Sequence, residues 1–231
     1  MGIPEYLLLM KDFIKKRLKE SLEDTMLESI LDEDYPTNFN MEEFKKLNNF
    51  AKRIRYCKDN LQYISSGSGR SVFKVDETKV LKLAKNAKGV AQNEAEAQWM
   101  NDYYFDSILA KVIDSHPKDL WVEMEMAHRV SAQMFKNYFG YPIDIIFRYI
   151  QHRFLVNNGK KDYWSDVAPE IAEVLHENQN VQSIYEFADA NDTVGDLGRL
   201  NTYGLVKRGG QDTIVIIDFG LSGEVQNAYY K

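Results

Sequence analysis

Residues 5–33 alternate apolar and charged positions at helical spacing, with Leu8, Phe13, Leu18, Leu22, Met26, Leu27, Ile30 and Leu31 on one stripe. Tyr35-Pro36-Thr37-Asn38 breaks that pattern. Asn40, with Glu43 three residues on, has capping-box spacing and predicts a second helix, 41–58. Phe44, Leu47, Phe50, Ala51 and Ile54 form its apolar stripe, while Lys45, Lys46, Lys52, Arg53 and Arg55 form a solvated face. After Asn60 the period shortens. Residues 61–64, 71–75 and 79–84 read as three strands joined by Gly67-Ser68-Gly69 and by Asp76-Glu77. Helical spacing returns over 89–104, and 108–113 and 120–127 read as two more strands. Residues 131–190 are mainly helical, and 205–207 with 213–217 close a hairpin around Arg208-Gly209-Gly210-Gln211. That order of elements is α+β.

Composition narrows the function classes. With 44% hydrophobic, 13% aromatic and 28% charged residues, the 231-residue chain is globular rather than disordered. Its 29 Lys+Arg against 35 Asp+Glu leave a net charge of −6, without the basic field that nucleic-acid binding needs. Cys57 is the single cysteine, so no internal disulfide forms. The apolar runs 3–10 and 143–150 are interrupted by Pro4 and Glu5 and by Asp144 and Arg148, so neither reads as a leader or a membrane span. A cytoplasmic protein without a membrane partner is expected. His116, His128, His152 and His176 have no metal-ligand spacing with one another or with Cys57. Ser65, Ser66, Ser68 and Ser71 lie in a loop region and not in a G-x-S-x-G elbow, so a serine hydrolase has no support.

The residues that carry chemistry lie in order along the chain. Asp196-Leu197-Gly198-Arg199-Leu200-Asn201 sets an Asp five positions before an Asn, and Asp218-Phe219-Gly220 follows the apolar run Ile214-Val215-Ile216-Ile217. An Asp as base, with an Asn and a second Asp as hard oxygen ligands, is the set that magnesium-dependent phosphoryl transfer requires. Upstream, Ser65-Ser66-Gly67-Ser68-Gly69-Arg70-Ser71-Val72 is a small-residue loop whose backbone N–H groups can approach phosphate. Val80-Leu81-Lys82-Leu83-Ala84 places one lysine in an apolar strand, and Glu94 and Glu96 on the next helix could pair with it; Glu96 is preferred.

In this order the motifs resemble the protein-kinase-like superfamily over about residues 61–222, and Gly195-Asp196-Leu197-Gly198 is similar to the small-molecule phosphotransferases that act on aminoglycosides and choline. The resemblance implies a two-lobed fold, an N-lobe with a five-stranded antiparallel sheet (61–127) and a reduced helical C-lobe (128–231); residues 1–60 lie outside it as an N-terminal helical extension. It implies ATP and Mg²⁺ as cofactors. Ser65, Gly67, Gly69 and Val72 would cover the phosphates, Lys82 would contact them beside Glu96, and Met124, Glu125 and Ala127 would hold the base. Asp196 and Lys82 would be catalytic, and Asn201 and Asp218 would hold the metal. The wording of 85–94 is similar to kinase-like proteins of bacterial viruses, which implies a host-cell cytoplasm and a host protein as partner or substrate.

The sequence departs from that family in three places. Val194-Gly195 stand where protein kinases have His-Arg and the small-molecule enzymes His-Gly, and the missing His puts the order of the catalytic loop in question. Arg70 replaces the third loop glycine. Only 11 residues follow Gly220, so no activation segment or peptide platform is expected. Three readings follow: a kinase acting on a protein Ser/Thr hydroxyl, a small-molecule phosphotransferase, or a pseudokinase that works by binding. The apolar stripes of the N-terminal helices are expected to pack on the kinase-like body and brace its small lobe.

Overall fold

The computed structural model describes residues 35–161 and 167–230. The helix expected over 5–33 lies outside the described residues.

Five strands form one antiparallel sheet: β1 (Gln62–Ser66), β2 (Arg70–Lys74), β3 (Lys79–Ala84), β4 (Val112–Ser115) and β5 (Trp121–Glu125), in the order β1-β2-β3-β5-β4. All of β3 is buried, because both faces of the sheet are covered at its centre. The period of two therefore sorts its side chains between two cores. Leu81 and Leu83, with Phe73 and Trp121, face a cluster built by residues 35–61. Val80 and Met124 join the other core, and Lys82, cross-strand from Val72 and Val122, shares their parity.

The expected helix 41–58 is two helices, α1 (Met41–Lys46) and α2 (Phe50–Asn60). Leu47 is extended, and the Asn49 side chain accepts from the N–H groups of Ala51 and Lys52, so it starts a new helix where a longer one would have continued. The break also shifts the buried stripe of α2 to Arg53 and Cys57. Arg53, expected on the solvated face, is only 3% exposed. Phe44 is fully buried against Phe39 and Trp121. Phe44→Ala should therefore lower stability by about 3–5 kcal/mol, read as a drop in the urea midpoint; an unchanged midpoint would mean that this helix does not brace the sheet.

Three more boundaries move. The helix expected over 89–104 is α3 (Ala87–Ala97), capped by Asn86, and Trp99 beyond it packs on Phe105 and Phe187. The strand expected over 108–113 divides. Ile108 and Ala110 bond to Ile216 in the second lobe, and β4 begins only at Val112. Past β5, the chain forms β6 (His128–Arg129), which joins β7 (Tyr203–Arg208) and β8 (Gln211–Ile216) in a three-stranded sheet where a two-stranded hairpin was expected.

The second lobe carries α4 (Ala132–Phe139), α5 (Ile143–Asn157), α6 (Pro169–Glu177), α7 (Gln179–Ala190) and α8 (Gly223–Tyr229). Phe135, Ile150, Leu175, Ile184 and Phe187 fill its centre, with Tyr203 and Val215 from the small sheet. The architecture is thus α+β, a five-stranded antiparallel sheet followed by a helical lobe. Among the described residues no helix is long and apolar enough to cross a membrane.

Candidate active site

Lys82 and Glu96 meet where β3 faces α3. The ammonium lies 2.8 and 3.0 Å from the two Glu96 carboxylate oxygens and donates to the Ile217 carbonyl at 2.6 Å. Glu96 is fully buried and Lys82 is 6% exposed, whereas Glu94 on the same helix is exposed. A helix turns about 100° per residue, so of two glutamates two positions apart only one can face the sheet. Burial pushes the Lys82 ammonium below its ordinary value, and the neighbouring Glu96 carboxylate only partly offsets this. Glu96 also accepts from the Phe219 N–H at 3.2 Å, tying α3 to the Asp-Phe-Gly turn.

Arg70 completes this cluster. Its Nη1 lies 2.6 Å from Glu96 Oε2 and its Nη2 2.5 Å from Asp218 Oδ1. Two cations and two carboxylates thus balance in the cleft. Burial raises the Asp218 carboxyl, but Arg70 and then Lys82 outweigh it and hold that carboxyl below the usual range. The sequence shows Arg70 only as a missing glycine. That its side chain spans to a residue 148 positions away is a tertiary fact.

The loop carrying Asp196 and Asn201 is ordered without a histidine. Gly195 turns at φ +43° and its N–H donates to Thr193 Oγ1 at 2.9 Å. The buried Tyr203 hydroxyl donates to the Leu197 carbonyl at 2.9 Å, and Thr202 Oγ1 donates to the Asp196 carbonyl at 2.8 Å. These three side chains are the ones sequence reasoning missed. Ser/Thr spacing to a following glycine is a local turn signal that could have found Thr193. The Ile217 N–H donates to the Thr202 carbonyl at 2.8 Å, so Asn201 and Asp218 lie on adjoining segments. Asp196 is partly exposed and pairs with Arg199 at 3.3 Å.

The small-residue loop is pinned to the start of α3. Lys85 donates to Ser66 Oγ and the Gly67 carbonyl, Asn86 to the Ser68 carbonyl, and Lys88 to Ser68 Oγ. Gly67 stands in open space, whereas a Cβ on Gly69 would come within 3.2 Å of the Gly89 nitrogen. Gly69 therefore serves loop–helix packing, and Gly67 is the open position of the pair. Ser65 is exposed on β1, opposite the half-buried Val72.

Along the expected base-binding strand, Met124 is fully buried. The Glu125 N–H is committed to the Lys111 carbonyl at 2.8 Å, and its carboxylate accepts from Arg208 at 2.6 Å. Glu125 thus cannot offer its N–H to a base. Ala127 is half-buried and lies against Gly204, where an added Cβ would come within 2.5 Å of it.

A lysine on the third strand pairs with a glutamate on the helix that follows it, beneath a small-residue loop and beside an Asp-Phe-Gly turn. The fold is kinase-like. No protein-family model and no curated protein matches the sequence. Solved structures similar to it include the aminoglycoside phosphotransferase APH(2'')-Ib with ADP bound, 16% identical at a TM-score of 0.34, the match covering 72% of this chain and 69% of that one. The streptomycin–ATP–APH(2'')-IIa ternary complex is 16% identical at a TM-score of 0.33, covering 75% and 71%. SAICAR-synthase from Saccharomyces cerevisiae, complexed with SAICAR, is 12% identical at 0.33, covering 68% and 72%. These likenesses are too distant to speak to substrate or acceptor.

Gly220 gives a test of the turn. A Cβ there would stand 2.4 Å from the Gln92 carbonyl oxygen, a backbone atom that cannot swing away. Gly220→Ala should therefore push the Asp218 segment off α3 and lower the melting temperature; a variant with the wild-type melting temperature would show that this contact is dispensable.

Proposed function

We propose that this chain is an ATP-dependent phosphotransferase of the kinase-like kind, moving the γ-phosphate of ATP to a hydroxyl. The observation that carries the reading is the buried Lys82–Glu96 pair aimed at the segment bearing Asp218. A lysine is buried at the cost of desolvation, and a buried ion pair is weak as a source of stability, so such a pair beside a cleft points to function. Lys82 would meet the α- and β-phosphates as a point charge. The backbone of residues 65–69 would cover them, and Met124, the Glu125 carbonyl and Ala127 would hold the base.

The donors suit Mg²⁺. Asp218 is 54% exposed and its second oxygen has no ion-pair partner among the described residues. The exposed Asn201 amide has no hydrogen-bond partner there either. Both present hard oxygen, as Mg²⁺ prefers. Bound there, the ion would supply charge neutralisation on the phosphate oxygens. Asp196 would take the acceptor's proton as its oxygen attacks phosphorus, and the bond from phosphorus to the bridging β-phosphate oxygen would break to release ADP.

An open groove of about 410 Å³ adjoins Asp196, lined in part by Asp144, Phe147, Arg148, Gly198 and Arg199. That size takes a Ser/Thr side chain of a protein, in keeping with a host-protein substrate, or an ordinary small molecule. A pseudokinase is the second reading, favoured by the Arg70 guanidinium on Asp218. Millimolar ATP·Mg²⁺ should raise the melting temperature by mass action, and γ-labelled ATP should label a protein or a small hydroxyl acceptor. A flat melting temperature sinks both nucleotide-dependent readings. A shift without transfer to either acceptor class favours the pseudokinase.

A further inference from the structure

Arg70 stands at the mouth of the phosphate loop and is 7% exposed. Of its two carboxylate partners, Glu96 already has the Lys82 ammonium. Among the described residues Asp218 has no other cation within ion-pair distance. Arg70 is therefore what balances Asp218, and its Nη1 also reaches Asn93 Oδ1 at 3.4 Å, which fixes the plane of the fork. A divalent cation on Asp218 would sit beside this guanidinium, and like charges at such range in a half-buried cleft repel strongly. A polyphosphate changes that balance. Its oxygens match a guanidinium in charge and geometry, and its own charge offsets that of the metal.

We infer that Arg70 couples nucleotide to metal: its guanidinium stands on Asp218, and an incoming polyphosphate draws Nη2 off so that Asp218 can take a divalent ion. This rests on the nucleotide reading above. Nη1 stays on Glu96 while Nη2 exchanges a carboxylate for a phosphate oxygen. Metal alone then binds poorly, and nucleotide and metal each raise the other's affinity by the same factor.

The full chain tests this with Mn²⁺ counted by electron paramagnetic resonance and ATP followed calorimetrically in EDTA. In Arg70→Gln, nucleotide-free Mn²⁺ should bind about tenfold tighter than in wild type and ATP in EDTA about tenfold weaker, each a single lost charge-assisted contact. Adding Asp218→Asn should abolish the gained Mn²⁺ site. Arg70→Lys keeps a cation for Glu96, so it stands in if Arg70→Gln does not fold, and should move both affinities the same way by a smaller factor. Mn²⁺ affinity unchanged or weakened in the folded variant, with ATP still bound, overturns the coupling alone. Wild-type protein that binds no ATP, with or without Mn²⁺, overturns the phosphotransferase reading and the coupling with it.

Discussion

Replacing Glu96 by Gln should lower the free energy of unfolding by about 3–5 kcal/mol, the usual loss when one partner of a buried ion pair is removed. Glu96 is fully buried and is the carboxylate that Lys82 and Arg70 share. Its neutral isostere would leave two cations and the single carboxylate of Asp218 in one cleft. For a chain of this size the melting temperature should fall on the order of 10 °C. Glu94→Gln is the control, since Glu94 is exposed and a surface change of this kind moves stability by within about 0.5 kcal/mol. Adding Lys82→Met to Glu96→Gln should recover part of the loss by removing one unpaired charge and filling its space with apolar atoms. If Glu96→Gln and Glu94→Gln melt alike, the four-charge cluster does not hold α3 to β3.

The largest kinetic effect is expected at Asp196. If the proposed transfer takes place, Asp196→Asn keeps the shape of the side chain and removes the proposed base, so transfer should slow by about 10²–10⁴-fold while ATP affinity stays within a few-fold of wild type. Three hydrogen bonds between backbone and the side chains of Thr193 (accepting), Thr202 and Tyr203 (donating) position the loop independently of the Asp196 carboxylate, so the variant should fold. Tyr203→Phe separates positioning from chemistry. Losing its bond to the Leu197 carbonyl should lower the rate less than Asp196→Asn and leave its pH dependence unaltered. Single-turnover measurements distinguish the two. A wild-type rate in Asp196→Asn would remove Asp196 from the mechanism.

The small sheet and the helical lobe also explain why Ile108–Ala110 separates from the strand that the apolar run 108–113 predicts. Three apolar residues in a row satisfy a strand in either lobe, and the local pattern holds no information on which sheet has a free edge. The structure gives this segment to Ile216 of β8. The broken helix at 47–49 has a similar cause. Leu47 and Phe50 continue an apolar stripe on paper, but Asn49 offers its side chain to the next N–H groups, and local capping outweighs continuation.

By itself the amino-acid sequence determined five strands with an inserted helix, and the order of loop, lysine, Asp/Asn pair and Asp-Phe-Gly turn. These follow from short-range periodicity, turn residues and spacing, which act within a few residues of one another. Only the tertiary structure decided that Arg70 would close on Asp218, that Thr193, Thr202 and Tyr203 would hold the loop, and that Arg53 would be buried. Each of these depends on which distant surfaces meet. A long polar side chain finds its partner by burial and charge across the fold, and nothing in its sequence neighbours specifies that partner.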